Sequence, residues 1–328
     1  MNEPLNIGLI GCGRVAERYY LPALARLRAE ARLVAVADSL PARTRLATTS
    51  FPECRAFSSA AELLQHPLVR AVIIATPPAN HAGATIDALR AGLPVLVEKP
   101  LATSLEEAGA IEEFASLPTA RVMVAFNQRH WEPIRRLKEV LQTRKAADEH
   151  SADLVMMTSP SAWSPVSTRS DALEDLAPHL LDLLRYLLQQ EISAVRAVAA
   201  GDGGFELSVR LAKGHGAKCL VAHGDVTEES ISVRCNGARY RVRMGSERFE
   251  PADGFLRSAL DLADTVSRKL RRRRSSLYYS YERQLLQFLR HIREGSRPSP
   301  DFKDGLAVLR AVEAARRSLA CGGEEVSV

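Results

Sequence analysis

The stretch "LIGCGRVAERYY", residues 9–20, decides how the first third of the chain is read. It begins within the apolar run Ile7-Gly8-Leu9-Ile10 and opens a helical pattern. Gly11, Gly13 and Ala16 fall at the spacing G-x-G-x-x-A. At a strand–loop–helix junction, Gly11 takes a turn closed to side chains, Gly13 lets a pyrophosphate approach the backbone, and Ala16 lets helix and strand close together. Arg14 and Val15 begin the helix, whose free N–H groups and partial positive charge suit an anion. The spacing alone also fits a structural turn. Asp38 decides between the two, because it ends the next apolar run 22 residues beyond Ala16. That is near the ~20 expected of an acid that binds an adenosine ribose. A bound dinucleotide is therefore expected. The carboxylate repels a 2′-phosphate, so NAD is expected over NADP, although Arg43 and Arg45 stand close enough to rescue NADP.

Working outward, the first 126 residues alternate short apolar runs with helical patterns. The runs Ile7–Gly11, Leu33–Asp38, Val69–Thr76, Pro94–Lys99 and Arg121–Phe126 lack a period of two, as strands covered on both faces should. Helices are expected near 14–28, 58–65, 79–91 and 104–117. This is the grammar of a doubly wound parallel Rossmann domain in an α/β chain. Beyond it, residues 127–328 read as an α+β domain with a largely antiparallel sheet. Strands are expected at Phe205–Leu211, Ala217–His223, Ser230–Cys235 and Arg239–Arg243, with a hairpin at Asn236-Gly237 and a reversal at 214–216. Helices are expected at Trp131–Leu141, Leu176–Gln189 and near 255–270, 280–294 and 303–320, the last packing back on the first domain.

The whole chain has 328 residues, 46% hydrophobic and 25% charged, with a net charge of +5. That is the balance of a soluble two-domain protein. The five cysteines form no C-x-x-C pair, and the first residues show no basic, apolar leader. A reduced, cytoplasmic protein without a membrane span or metal site is expected.

Two further segments carry chemistry. "ATPPANH", residues 75–81, leaves a strand at Thr76, and its prolines deny the backbone further ladder bonds. "VEKPL", residues 97–101, ends the next strand with Glu98 and Lys99. Both lie at carboxyl ends of parallel strands, where such sheets bind ligands. Taken with the glycine loop, they resemble the glucose–fructose oxidoreductase, inositol dehydrogenase and rhizopine-catabolism (Gfo/Idh/MocA) family. The likeness runs on through "VAFNQRHWEPIRRLKEVL", "DLAPHLLDLLRYLL" and "YERQLLQFLRHIREG".

The resemblance implies an NAD(P)-dependent dehydrogenase acting on a CH–OH group of a sugar, cyclitol or related polyol. Lys99 matches the lysine that contacts the nicotinamide side and the reacting hydroxyl. Glu98 matches a residue near the nicotinamide ribose. Thr76, Pro77, Asn80 and His81 match the loop beside the dinucleotide, and Asn127 a residue near the nicotinamide. Pro100 matches a proline that follows a cis bond. Asp175 and His179 match the family's D-x-x-x-H pair, with His179 as base and Asp175 orienting it, although Lys99 remains an alternative proton carrier. Asp182 reads as a buried salt-bridge or cap partner. The family also implies a homo-oligomer through the second sheet.

The chain departs from the family at Val166–Asp175, which carries no glycine, and at Ala177. Two other readings keep the fold: a catalytically silent dinucleotide sensor or partner-binding protein, and an NAD-dependent lyase or glycosidase that oxidises transiently. "RKLRRRR", residues 268–274, with Tyr278, Tyr279 and Tyr281, raises nucleic acid as a partner. A solvated helix end is the favoured reading of that run.

Overall fold

Runs that are apolar at every position must be covered on both faces, and the first sheet covers them. The computed structural model describes residues 3–143, 150–158, 171–201, 203–224, 227–243, 248–251 and 276–328. Six strands, β1 (Leu5–Ile10), β2 (Ala31–Ala37), β3 (Arg55–Phe57), β4 (Ala71–Ile74), β5 (Val95–Val97) and β6 (Val122–Val124), pair in the order β3-β2-β1-β4-β5-β6. Every pairing is parallel. All residues of β4, β5 and β6 are buried. The helices between them are α1 (Leu21–Arg26), α2 (Pro41–Ser50), α3 (Ala60–Leu64), α4 (His81–Arg90) and α5 (Leu105–Ala115). A π turn, Ala16–Tyr20, leads into α1. Ser59 and Ser104 cap α3 and α5 by accepting from Glu62 N–H and Glu107 N–H.

The expected strands are present, and each ends one or two residues before its apolar run does, because the last residues leave the ladder to build loops. Two elements of the first unit were not expected. Helix α2 is rich in Thr and Arg and buries only Thr44 and Ala47, so it has no apolar stripe to read. Strand β3 is three residues long.

The chain divides into two compact units, residues 1–127 with 278–309, and residues 128–277 with 310–328. The helix Ser276–Glu294 thus returns to the first unit, where Glu282 pairs with Arg26 at 2.6 Å and Tyr281 stacks on Tyr19 at 4.4 Å. The helix Phe302–Ala320 contributes its first half to one unit and its second half to the other.

The second unit contains α6 (Glu132–Thr143), α7 (Ala172–Asp175) and α8 (Ala177–Leu188). Its strands are β7 (His150–Thr158), β8 (Ile192–Ala199), β9 (Phe205–Leu211), β10 (Gly216–His223), β11 (Glu228–Cys235), β12 (Ala238–Arg243), β13 (Arg248–Pro251) and β14 (Val326–Ser327). They form one sheet in the order β13-β12-β11-β7-β10-β9-β8-β14. Only β7 and β10 run parallel, so the sheet is largely antiparallel as expected. Asn236 and Gly237 take φ of 50° and 75°, the left-handed pair a two-residue hairpin needs. The helix expected near 255–270, the segment 159–170 and the arginine run 268–274 lie outside the described residues. Tyr281, one of the aromatics beside that run, is buried against Tyr19 and Tyr20 rather than presented for base stacking. Among the described residues, no helix is long and apolar enough to cross a membrane.

One charged pair anchors the second unit. Arg129 donates to both carboxylate oxygens of Asp182, at 2.6 and 2.8 Å, with the side chains 7% and 1% exposed. Asp182 is therefore a buried salt-bridge partner, as its position suggested. Breaking such a pair from one side leaves a buried charge without its counter-ion. We expect Arg129→Ala to lose about 3–5 kcal/mol of stability in urea unfolding. Arg129→Met with Asp182→Leu should recover most of it. A loss below about 1 kcal/mol for the single variant would contradict this assignment.

Candidate active site

The candidate coenzyme site grows out of the carboxyl edge of the first sheet. Gly11 follows β1 with φ of +90°. A Cβ there would lie 2.6 Å from the backbone C and O of Ala75 and 2.7 Å from the N of Thr76. The loop after β1 is thus pressed against the loop after β4, and only glycine allows it. At Gly13 the same construction meets nothing within 4 Å. There the missing side chain leaves open space rather than relieving a clash. Arg14 is exposed and Val15 half-buried, ahead of the π turn. Such turns inside helices are frequent at functional sites.

Asp38 follows β2 and faces this loop. Its Oδ2 accepts from Cys12 N–H at 2.9 Å and its Oδ1 from Leu40 N–H at 2.9 Å. Arg43 Nη1 stands 3.8 Å away. The carboxylate is held in one orientation, with a cation beside it. Burial first, and the Asp38 charge second, push the Cys12 thiol up to about 12. Cys12 therefore stays protonated and is no nucleophile.

The loop after β4 is pinned by His81. Its Nδ1 lies 2.7 Å from Pro100 O and its Nε2 lies 2.8 Å from Thr76 O. The ring is 1% exposed, and burial holds its pKa below the usual value against the pull of the two carbonyls. His81 therefore ties two loops together, while Pro77 and Asn80 are exposed. Thr76 Oγ1 is buried with no hydrogen-bond partner among the described residues.

Glu98 and Lys99 follow β5. Glu98 is buried and accepts from Tyr20 Oη at 2.8 Å and from Lys99 N–H at 3.3 Å. Burial pushes its carboxyl up to about 7, against the opposing pull of Tyr20 and of the Lys99 charge. Lys99 is half-buried, and the Lys99–Pro100 bond is cis. Asn127 is buried and its Nδ2 donates to Ser280 Oγ at 3.1 Å.

Asp175 and His179 belong to the second unit. Asp175 closes α7, whose cap is Asp171, and Pro178 sits in the first turn of α8 with His179 next to it. An imidazole lies beside Asp175 from an unexpected quarter: His223, at the end of β10, has its Nε2 3.6 Å from Asp175 Oδ2. Sequence reasoning missed His223, because 48 residues separate it from Asp175 and neither spacing nor motif connects them.

The family model described as "Oxidoreductase family, NAD-binding Rossmann fold" matches residues 5–126, and the one described as "Oxidoreductase family, C-terminal alpha/beta domain" matches residues 163–328. The chain belongs to the Gfo/Idh/MocA oxidoreductase family. It is 28% identical over 344 residues to an inositol 2-dehydrogenase of Rhizobium meliloti (strain 1021), covering 96% of this chain and 97% of that one. Its fold matches the WlbA dehydrogenase from Bordetella pertussis, solved with NADH and UDP-GlcNAcA, with a TM-score of 0.83, 20% identity and coverage of 100% and 99%. It also matches a myo-inositol dehydrogenase from Lactobacillus casei, solved with NAD(H) and myo-inositol, with a TM-score of 0.78, 20% identity and coverage of 99% and 97%.

The residues of this Gfo/Idh/MocA member fit a dinucleotide on their own evidence. Space is open at Gly13, a buried hydroxyl at Thr76 lacks a partner among the described residues, and the Asp38 carboxylate is pre-oriented. Gly13→Val should therefore fold with an unchanged melting temperature yet bind NAD at least tenfold more weakly by calorimetry. Equal affinity would contradict a phosphate at this opening.

Glu98 gives a second expectation. Its folded pKa, about 7, lies above the ordinary 4.5 that it has in the unfolded chain, so its contribution to stability is present below 4.5 and lost as pH rises through 7. Glu98→Gln cannot ionise. Its stability relative to the native chain should rise by about 3 kcal/mol between pH 4.5 and pH 8. A difference independent of pH in urea unfolding would contradict the shift.

Proposed function

We propose that this chain is an NAD-dependent dehydrogenase that oxidises a secondary alcohol of a sugar, cyclitol or related polyol, and reduces the ketone in reverse. One observation carries the reading. The glycine loop, the Thr76 loop and Lys99 follow β1, β4 and β5, three neighbouring strands, and so share one carboxyl edge of a parallel sheet. Ligands of such sheets bind at that edge. The relatives named as inositol dehydrogenases support a polyol substrate for this chain.

A nicotinamide coenzyme would be held here by Gly11, Gly13, Arg14, Val15, Asp38, Thr76, Pro77, Asn80, Glu98 and Asn127, with His81 fixing the Thr76 loop from behind, and would supply the hydride acceptor. Asp38 favours NAD over NADP through its charge. Lys99 steadies the reacting oxygen as negative charge develops on it. His179 accepts the hydroxyl proton, since an imidazole's ordinary pKa near 6.5 suits a base at neutral pH. Asp175 orients the base, and His223 in turn holds Asp175. In this reading residues 1–126, together with Asn127, bind coenzyme, and the rest of 127–328 selects substrate and forms a homo-oligomer through the second sheet. The five unbridged cysteines support a reducing cytoplasm.

The test is a panel of inositols, sugars and sugar acids, with NAD and NADP side by side. Net NADH formation with at least one polyol is expected, and its absence across the panel would contradict the reading. With the active polyol, His179→Ala should lower kcat by about 100-fold or more while NAD affinity stays within twofold. Turnover near the native value would overturn the assignment of the base.

A further inference from the structure

Tyr20, Glu98 and Gln284 come from three distant parts of the first unit. Tyr20 ends the π turn behind the glycine loop, Glu98 follows β5, and Gln284 lies on the helix Ser276–Glu294. Tyr20 and Gln284 are fully buried, and Glu98 nearly so. Tyr20 Oη lies 2.8 Å from Glu98 Oε1, and Gln284 Nε2 lies 3.3 Å from Tyr20 Oη. The Lys99 main-chain N–H reaches Glu98 Oε2 at 3.3 Å. Tyr281 packs edge-on against Tyr20 with ring centres 5.3 Å apart.

The direction of this chain follows from the number of protons available. A tyrosine hydroxyl has one proton. An ionised Glu98 can only accept, so Tyr20 donates to it, and the tyrosine oxygen is then left to receive the Gln284 amide. Both Glu98 oxygens face donors. That arrangement suits the carboxylate, because a protonated acid would turn an O–H toward one of them.

We propose that Tyr20 is a positioning residue of the coenzyme site, whose hydroxyl, oriented by Gln284, holds Glu98 as a fixed carboxylate beside Lys99. The proposal rests on the reading of the first unit as an NAD site. Among the described residues, the polar and charged groups facing Glu98 are Tyr20, Tyr281 and the Lys99 ammonium and amide. Because the Tyr20 hydrogen bond favours the ionised acid, its loss raises the pH at which Glu98 ionises.

The test uses the full chain without substrate. Infrared titration identifies the Glu98 carboxyl as the band absent from Glu98→Gln, and its midpoint in the native chain should lie near 7. Tyr20→Phe should move that midpoint up by about one pH unit, a tenfold change in proton affinity. NAD should then bind Tyr20→Phe about threefold more weakly than the native chain at pH 7.5, and equally at pH 9.5. If Tyr20→Phe does not fold, Gln284→Leu should show a smaller shift in the same direction. An unmoved midpoint in a folded variant, or a loss of NAD affinity that is the same at both pH values, overturns the proposal while leaving NAD binding intact. A native chain that binds no NAD at any pH overturns instead the reading on which it rests.

Discussion

The first unit depends on one steric constraint, the contact of Gly11 with the backbone of Ala75 and Thr76. No residue with a side chain can enter that gap, and φ of +90° excludes one independently. The two loops close because Gly11 N–H donates to Ala37 O and Ala75 N–H to Ile10 O, each at 2.8 Å. These bonds carry the parallel ladder one residue past its ends, so the loops after β1, β2 and β4 converge. Asp38 then falls within reach of Cys12 N–H, and Thr76 within reach of His81. The site geometry is thus a consequence of sheet register and a missing methyl group.

Three buried polar groups show how differently the fold treats charge. Asp182 meets a guanidinium at both oxygens, so its buried carboxyl has a full counter-charge beside it. Glu98 has hydrogen bonds from a phenol and an amide, and burial still prevails over them in setting its titration. His81 lies between two carbonyls, of which a neutral ring can satisfy only one by donation. The difference follows the partners. A full counter-charge at two contacts offsets desolvation, whereas neutral donors offset only part of it.

The parallel sheet was legible because glycine, proline and unbroken apolar runs are local signals. The hairpin at Asn236-Gly237 was legible for the same reason. Strand β7 was harder, because Ala152 and Thr158 share its inward face with Leu154 and Met156, which weakens the alternation. Strand β8 hides behind Arg196, whose Nε reaches Gly323 O. The contacts of Gln284 with Tyr20, 264 residues apart, and of His223 with Asp175 leave no trace in any window of sequence. The residue types of the coenzyme loop could be read directly. The surroundings that set their charge and orientation exist only once the chain has folded.

The proposed chemistry requires the carboxyl edge of the first sheet to hold a nicotinamide dinucleotide with Asp38 at its ribose. Calorimetric titration of the folded native chain with NAD and then with NADP measures this directly. The account predicts saturable binding of one NAD per chain and weaker binding of NADP. No heat of binding from either coenzyme would contradict it.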